Sequence, residues 1–369
     1  MKRLTLIANL VGRAEKPCHR GLLCLFASII LLLMSCSVID DDLSDCYEEV
    51  PQAQVDYELK LVTNLTTELT TQLTTQTDIQ LASALKMHLN DIFTDYAHDV
   101  DLSFYDTQGD SILLQKDEHI MDANQASYSL NLPMRQYMHL AAANVVDNEI
   151  VDVMYDNRCH RSMIDQIIRD TIDSHTTGIF TARQPMEVLG NVSQNFDVHL
   201  YMANCAAALV IDPKNYGSID EVRVYSTGFA TGFSICDSVY HYDRQPPIVR
   251  TSVVNLGGVG EQAFCSVTFP SPEPSRAATR TIIETEEPFI AEPSDEVLWE
   301  FRVYVPIKGN TRGEESITET ILPLKVPLRA GEFKIIKCRI GDQGEIVPDN
   351  SEITTSVTLH WQPGLVIDT

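Results

Sequence analysis

The sequence predicts a mainly β protein built from two β-sandwich domains. Segments in which apolar and polar residues alternate recur along the chain, and this alternation is typical of strands with one buried face. Gly, Pro, Asn and Asp separate these segments at the short intervals of a sandwich. The chain has 369 residues, which is enough for two domains that each bury a core.

The predicted strands extend from the start of the first domain to the end of the chain. They are Val55–Leu61, Val100–Tyr105, Tyr128–Leu132, His139–Val146, Phe196–Met202, Ala207–Ile211, Glu221–Tyr225, Ala263–Phe269, Val297–Val305, Ile321–Leu328, Glu332–Ile340 and Ser356–Trp361. Gly190-Asn191 precede the strand at Phe196. We therefore place the N-terminal domain over residues 51–193 and the C-terminal domain over residues 194–369.

Two short helices are predicted within this β pattern. In the first, apolar residues at spacings of three and four form one helical face, with Leu81, Leu85, Leu89, Ile92, Phe93 and Tyr96. The second is shorter and contains Met163, Ile164, Ile167 and Ile168. The Thr-rich segment 63–77 fits a strand, a linker or a glycosylated stretch. The Pro- and Glu-rich segment Pro270–Pro293 is predicted to be a long loop.

Residues 1–35 have the pattern of a secretory signal peptide. Basic residues precede an uncharged run at 21–34, which is shorter than the ~20 apolar residues of a membrane-spanning helix. The run ends in Leu33-Met34-Ser35-Cys36, which resembles the bacterial lipobox. We therefore predict that a lipid is attached to Cys36 and that the mature chain begins there. Several acyl chains on one residue would make the attachment lasting.

Residues 36–50 are predicted to be an acidic, lipid-linked tether. Asp40, Asp41 and Asp42 resemble the signal that sends some bacterial lipoproteins to the outer face of the outer membrane, and a solvated tether explains them equally well. The whole chain has a formal net charge of −25. This charge argues against nucleic acid and anionic lipid surfaces as partners, because both are bound by clustered Lys and Arg.

The cysteines allow disulfides without indicating a pairing. Cys36 is assigned to the lipid, and the cysteines that follow it are Cys46, Cys159, Cys205, Cys236, Cys265 and Cys338. An even number in an exported protein permits bridges, and fifteen full pairings are possible. We expect at least one bridge, and several of these residues also fit buried free thiols.

No motif predicts catalysis, a cofactor or a metal. The sequence has no Walker A, GxGxxG, HExxH or GxSxG motif, and its histidines are scattered singly. We predict that the protein is not an enzyme. Asp-Ser/Thr-aliphatic triplets at Ser111, Thr171 and Ser238 match a pattern on which some gut bacteria place O-glycans, although such short matches arise often by chance.

The opening of the predicted mature chain resembles a known family. Cys36 to Cys46 reads CSVIDDDLSDC, which is similar to the opening of FimB/Mfa-type fimbrial subunit lipoproteins of type V pili. The helix followed by Val100–Gly109, and the ending Val357–Gly364, also resemble that family. His139–Ala143 departs from it, since a tyrosine leading into an aromatic-rich strand is expected there.

The resemblance implies two transthyretin-like Greek-key β-sandwiches in tandem and a role in anchoring or assembling a pilus. In such pili a terminal strand of one subunit is added to a neighbour, so that backbone hydrogen bonds supply affinity. The implied partners are fimbrial shaft subunits (pilin) and the outer membrane. The predicted donor is Ser356–Ile367, with Val357, Leu359 and Trp361 on one face.

One observation favours an anchor over a shaft subunit. Shaft subunits are thought to lose their first strand to an Arg-specific protease, and no Arg occurs between Cys36 and Arg135. The predicted first strand, Val55–Leu61, would therefore be kept. A tip adhesin of the same family remains an alternative. A surface glycan-binding lipoprotein is a second alternative, which exposed Trp and Tyr residues clustered on one sandwich face would support.

Overall fold

The computed structural model describes residues 51–61, 79–93, 99–108, 113–120, 127–146, 148–167, 170–190, 192–213, 216, 219, 221–256, 260–274, 296–307, 316–349 and 355–358. Strands dominate these ranges, which confirms the predicted fold class. The part of the chain from Gln52 to Thr369 forms one compact unit.

The described strands are numbered in chain order. They are β1 (Gln52–Leu61), β2 (Asp99–Asp106), β3 (Leu113–Ile120), β4 (Ser127–Pro133), β5 (Gln136–Ala143), β6 (Val151–Met154), β7 (Met163–Gln166), β8 (Thr171–Asp173), β9 (Phe180–Glu187), β10 (Asn195–Met202), β11 (Cys205–Asp212), β12 (Arg223–Thr227), β13 (Gly232–Ser234), β14 (Val239–His241), β15 (Ile248–Arg250), β16 (Ser252–Val254), β17 (Gln262–Thr268), β18 (Trp299–Ile307), β19 (Ser316–Leu324), β20 (Glu332–Ile340), β21 (Ile346–Pro348) and β22 (Thr355–Thr358). The helix α1 spans Ile79–Phe93, and a 3-10 turn spans Cys159–Arg161.

These strands form four sheets. The first has the order β3-β2-β5-β9-β10-β1-β4, and the second has the order β16-β17-β11-β20-β21 with β22 also paired to β20. The third has the order β19-β18-β12-β15-β8, and the fourth has the order β14-β13-β7-β6. Most neighbouring strands are antiparallel; the pairs β1–β10, β11–β20 and β8–β15 are parallel.

The second sheet is buried on both faces. Alternate residues of β11 point to opposite sides. Ala206 and Ala208 join one apolar core with α1 and the first sheet, whereas Ala207 and Leu209 join another core with the third sheet. Strands covered on both sides lack an alternation of apolar and polar residues, and seven consecutive residues of β11 are buried. The second and third sheets therefore form a β-sandwich.

The helix α1 closes the other core through one apolar face. Its buried residues are Leu81, Ala82, Ala84, Leu85, Leu89, Ile92 and Phe93, which recur mostly at intervals of three and four. The predicted helix over Leu81–Tyr96 is thus confirmed as far as Phe93; Tyr96 lies outside the described residues. A third core joins the first sheet to the fourth, with Leu140 and Ala142 beside Ile164 and Phe233.

The predicted second helix is wrong. Met163–Gln166 form β7, which is antiparallel to β6 and β13, and Ile164 is buried opposite Val153 and Phe233. Ile167 follows the strand and Ile168 lies outside the described residues. Apolar residues within a six-residue window fit a helical turn and a strand equally well. The neighbouring strands decide between them, and those strands come from other parts of the chain.

Some predictions concern parts of the chain that the structure does not describe. The signal peptide, the tether, the Thr-rich segment 63–77 and most of the long loop at 270–293 lie there. The domain boundary at 193/194 stays a prediction. Directly after it, β10 pairs with β1 and β9 of the first sheet.

Candidate functional site

The predicted functional residues lie mainly near the two chain ends. Cys36, Ser111, Leu359 and Trp361 are outside the described residues. Val357 lies in β22, opposite Phe333 of β20. Thr171 is the first residue of β8 and is exposed, and Ser238 lies in the turn before β14 with a φ of 54°. The structure does not bring these residues together into one site.

At the N-terminal end, β1 is hydrogen-bonded on both sides. Residues Gln52–Glu58 pair antiparallel with β4, and residues Asp56–Leu61 pair parallel with β10. Val55 is 1% exposed and belongs to the core that α1 closes. Releasing β1 would therefore break two ladders and expose apolar surface. The strand that would follow a lipid tether at Cys36 is a firmly held part of the first sheet.

At the C-terminal end, β22 lies against the second sheet. Its four residues pair antiparallel with Glu332–Ile335 of β20, and β21 pairs with Cys338–Ile340 farther along the same strand. The described chain therefore ends in a strand that is attached to its own sheet at Thr358. The remaining donor candidates, Leu359 and Trp361, follow directly.

A further candidate site lies on the outer face of the third sheet. Alternate residues of its central strands point into the sandwich, where Val224, Val303 and Val249 are buried. The intervening residues form an open cavity of about 670 Å³, whose lining includes Arg223, Tyr225, Arg250, Arg302, Tyr304 and Thr171. We call this lining the Tyr–Arg face.

Strand register arranges tyrosines and arginines alternately on the Tyr–Arg face. Tyr225 of β12 lies opposite Arg302 of β18 and Arg250 of β15, and Arg223 lies opposite Tyr304. The rings of Tyr225 and Tyr304 meet edge to face, with centroids 5.8 Å apart and an interplanar angle of 78°. Each tyrosine thus has a guanidinium group beside it on a neighbouring strand.

Carboxylates hold several of these side chains in place. Arg302 donates to Glu300 at 2.7 Å, Arg250 donates to Asp173 at 2.7 Å, and the Tyr304 hydroxyl donates to Glu319 at 2.9 Å. The hydrogen bond to Glu300 raises the pKa of Arg302, and the hydrogen bond to Glu319 raises the pKa of Tyr304. Arg302 therefore keeps N–H groups that can donate to a ligand, whereas the single O–H of Tyr304 is donated to Glu319, so that the Tyr304 oxygen can accept from a ligand.

Aromatic rings and fixed donors on an open face are suited to binding a polyhydroxylated ligand. A tyrosine ring offers an apolar surface with a polar tip, and arginine offers a rigid fork of N–H groups. The sequence alone does not predict this face, because its residues lie on different strands. The sequence pattern that could have indicated this face is the repeated Arg-x-Tyr motif, at Arg223-Val224-Tyr225 and at Arg302-Val303-Tyr304.

Trp299 does not contribute to a surface site. It is 1% exposed, packs against Phe229 and Phe301, and its indole N–H donates to the carbonyl of Val326 at 2.9 Å. Trp361 lies outside the described residues. Among the described residues, the aromatic side chains that line the cavity on the outer face of the third sheet are therefore tyrosines.

The described ranges contain neither a candidate metal site nor a candidate membrane-spanning helix. Within them, no group of three or more His, Cys, Asp or Glu residues could hold a metal ion. In the same part of the chain no helix is long and apolar enough to cross a membrane.

Comparisons with known proteins find similar solved structures, whereas no protein-family profile and no curated protein matches the chain. A candidate adhesin of Bacteroides thetaiotaomicron has 11% sequence identity and a TM-score of 0.46, over 84% of this chain and 99% of that one. The fimbrial anchor protein Mfa2 of Porphyromonas gingivalis has 10% identity and a TM-score of 0.39, over 70% and 91%. The tip fimbrial protein Mfa3 of the same organism has 10% identity and a TM-score of 0.37, over 84% and 100%. Mfa2 and Mfa3 are fimbrial proteins of the type that the sequence resembles.

Proposed function

We propose that the chain is a non-enzymatic, FimB/Mfa-type fimbrial lipoprotein that is held in the outer membrane by a lipid on Cys36 and anchors a fimbria at the cell surface. The observation that carries this proposal is the position of β1. The strand is paired on both sides, and residues 36–134 contain no Arg at which an Arg-specific protease could release it. A subunit that keeps its first strand and its lipid stays with the membrane.

The proposed link to the fimbria is β-strand addition by the C-terminal segment. Val357 in β22 would be the first of three alternating residues, followed by Leu359 and Trp361. In this mode backbone hydrogen bonds supply affinity, and side chains on one face fill pockets of the partner. The partner is a fimbrial shaft subunit. The pairing of β22 with β20 supports this proposal, because a donor segment that continues from Thr358 would leave from the edge of the second sheet.

The test is the distribution of protein and fimbriae between cells and medium. In a Cys36→Ser variant, we expect the chain to leave the outer-membrane fraction and the fimbriae to be shed with it, because the residue that carries the proposed lipid is gone. In a variant truncated after Thr358, we expect the chain to stay in the membrane while the fimbriae are shed. This truncation keeps β22, so the second sheet retains its edge strand.

Cys24→Ser is the matched control. Cys24 precedes the predicted cleavage site, so its replacement should leave the distributions of the protein and of the fimbriae unchanged. A Cys36→Ser chain that stays in the outer membrane would refute the lipid anchor. Fimbriae that remain cell-bound after the truncation would refute the donor segment. Chain detected by immunogold labelling at the outer ends of cell-bound fimbriae would favour the tip adhesin instead.

The Tyr–Arg face favours a second candidate function, glycan binding at the cell surface. The supporting observation is the pair of tyrosines, Tyr225 and Tyr304, in an open cavity with three arginines. Thr171, a predicted O-glycan acceptor, lines the same cavity. Glycan binding is compatible with anchoring, because the proposed donor segment begins in β22 of the second sheet and the Tyr–Arg face lies on the third sheet.

We expect a Tyr225→Ala/Tyr304→Ala variant to lose glycan binding at least tenfold, because stacking on the two rings is removed. The measurement is binding of the detergent-solubilised full chain to an array of neutral and uronic-acid-containing oligosaccharides. Tyr201→Ala is the control, since Tyr201 is exposed on β10 of the first sheet. Equal binding by the double variant and the unchanged chain would exclude this face as the glycan site.

A further inference from the structure

Two cysteine sulfurs lie closer together than unbonded sulfur atoms ordinarily rest. The Sγ atoms of Cys159 and Cys236 are 2.6 Å apart, with the Cys159 thiol donating to Cys236. A disulfide bond is about 2.05 Å long, so a small movement of the two side chains would bring the sulfurs to bonding distance. Cys205, Cys265 and Cys338 are also free and are buried elsewhere among the described strands.

The backbone around the two cysteines is already held in place. Cys159 opens the 3-10 turn that leads into β7, and Cys236 follows β13. These two strands are paired, with Met163 opposite Ser234, and the N–H of Ile235 donates to the carbonyl of Ser162 at 3.2 Å. The ladder therefore brings the two cysteine positions together without help from a covalent bond, and a bridge would add little strain.

The two thiols differ in pKa and in exposure, and these differences decide which thiol reacts first. The hydrogen bond from Cys159 lowers the pKa of Cys236 and raises that of Cys159. Cys236 is also partly exposed, whereas Cys159 is 2% exposed. The attacking species in thiol–disulfide exchange is the thiolate, and attack requires access. Cys236 is therefore the residue that an external oxidant meets first.

We propose that Cys159 and Cys236 form a disulfide once the chain has been exported, which rests on the secretion that the proposed function requires. The oxidant is a disulfide of a thiol–disulfide oxidoreductase outside the cytoplasm. The Cys236 thiolate attacks one sulfur of that disulfide, and the other sulfur leaves as a thiolate. Cys159 then loses its proton and attacks the Cys236 sulfur. This attack expels the oxidant sulfur to which Cys236 had become bonded. Two electrons and two protons pass to the oxidant, which becomes a dithiol.

The bond would join distant parts of the chain. The cysteines are 77 positions apart, and cross-links that close long loops restrict the unfolded chain most strongly. The bridge would fasten the end of β13 in the fourth sheet to the turn before β7. We expect the oxidised chain to unfold at a temperature higher by roughly 5 °C than the reduced chain.

The test is alkylation of the full chain, purified from outer membranes, under denaturing conditions without reductant. We expect peptides with Cys205, Cys265 and Cys338 to be alkylated, and those with Cys159 and Cys236 to be protected until a reductant is added. Reductant should lower the unfolding temperature of the unchanged chain and leave that of a Cys159→Ser/Cys236→Ser variant unaffected, so the variant controls for effects on other thiols.

Alkylation of Cys159 and Cys236 in both the cellular sample and a purified sample treated with oxidised glutathione would overturn the pairing. A bond that forms with glutathione and is missing from the outer-membrane sample would show that the two thiols can pair, and it would overturn the proposal that they are oxidised after export. A bond in both samples supports the proposal, and it does so whether or not fimbriae depend on Cys36.

Discussion

Lowering the pH from 7 to 5 is expected to reduce the free energy of unfolding by about 4 kcal/mol through two buried histidines. Burial lowers the pKa of His139 and of His175 to about 4, against about 6.5 in an unfolded chain. Between these values the unfolded chain binds protons that the folded chain does not. Stability is therefore full above pH 6.5 and is lost as the pH falls towards 4.

His139 is enclosed in the first sheet. It is fully buried on β5, its ring stacks on Phe104 with centroids 4.5 Å apart, and its Nδ1–H donates to the carbonyl of Ser103 at 3.0 Å. This hydrogen bond raises the pKa, and the opposing effect of burial is larger. A second proton would place a charge beside an apolar ring in the core, which explains why the neutral form is kept.

His175 is fixed by a hydrogen-bond network that leaves no room for a second proton on Nδ1. The Asn204 amide donates to Nδ1 at 3.0 Å, while the amide oxygen accepts from the backbone N–H of Ile179 at 2.5 Å. The amide cannot turn round without losing that second bond. Nε2 therefore carries the proton, and among the described residues it has no hydrogen-bond partner.

The measurement is urea unfolding at several values between pH 4.5 and 7. Each histidine should add on average about 1 kcal/mol per pH unit to the slope in this range. His139→Phe, which keeps an aromatic ring beside Phe104, should remove about half of the slope whatever its effect on stability at pH 7. An undiminished slope in His139→Phe would contradict this account.

Strands with one dominant apolar pattern were predictable, and strands defined by distant partners were not. Glu332–Ile340 is predicted and found with the same ends. β9 was missed because Phe180–Glu187 do not alternate and contain Pro185. That proline is tolerated because β10 pairs with only the first two residues of β9, so the missing N–H of Pro185 faces no partner strand.

The candidate sites were also predictable only where they depend on local sequence. The Arg-free stretch before Arg135 and the alternation in Val55–Leu61 can be read from the chain, and together they predict a first strand that is kept. The Tyr–Arg face and the Cys159–Cys236 pair depend on strand register between segments far apart in sequence. Local composition carries no information on which residue of one strand lies opposite which residue of another.

Replacing Glu332 by Gln is expected to lower the free energy of unfolding by about 3 kcal/mol. The Glu332 carboxylate lies 3.0 Å from the Lys334 ammonium group, and these side chains are 8% and 3% exposed. Gln keeps an oxygen that can accept from the backbone N–H of Arg329, as Glu332 does at 3.0 Å. What it removes is the negative charge, so that the buried ammonium group loses the counter-charge that lies 3.0 Å away.

This pair lies where β22 meets the second sheet. Glu332 is opposite Thr358 and Lys334 is opposite Ser356 in the β20–β22 ladder. Lysine and glutamate are rarely buried unless they are paired, and here they lie two residues apart on the same strand. The cost of Glu332→Gln therefore falls on the edge of the sheet from which the proposed donor segment leaves.

Urea unfolding of three variants separates charge pairing from other effects. Glu273→Gln removes an exposed carboxylate that also pairs with Arg329, and it should cost less than 1 kcal/mol. A Glu332→Leu/Lys334→Leu variant removes both charges and should recover most of the stability lost in Glu332→Gln, because breaking a buried pair costs more than replacing it by apolar side chains. A double variant less stable than Glu332→Gln would mean that Lys334 contributes through its other contacts. A Glu332→Gln chain as stable as the unchanged one would show that the ammonium group reaches solvent or another acceptor when its counter-charge is gone.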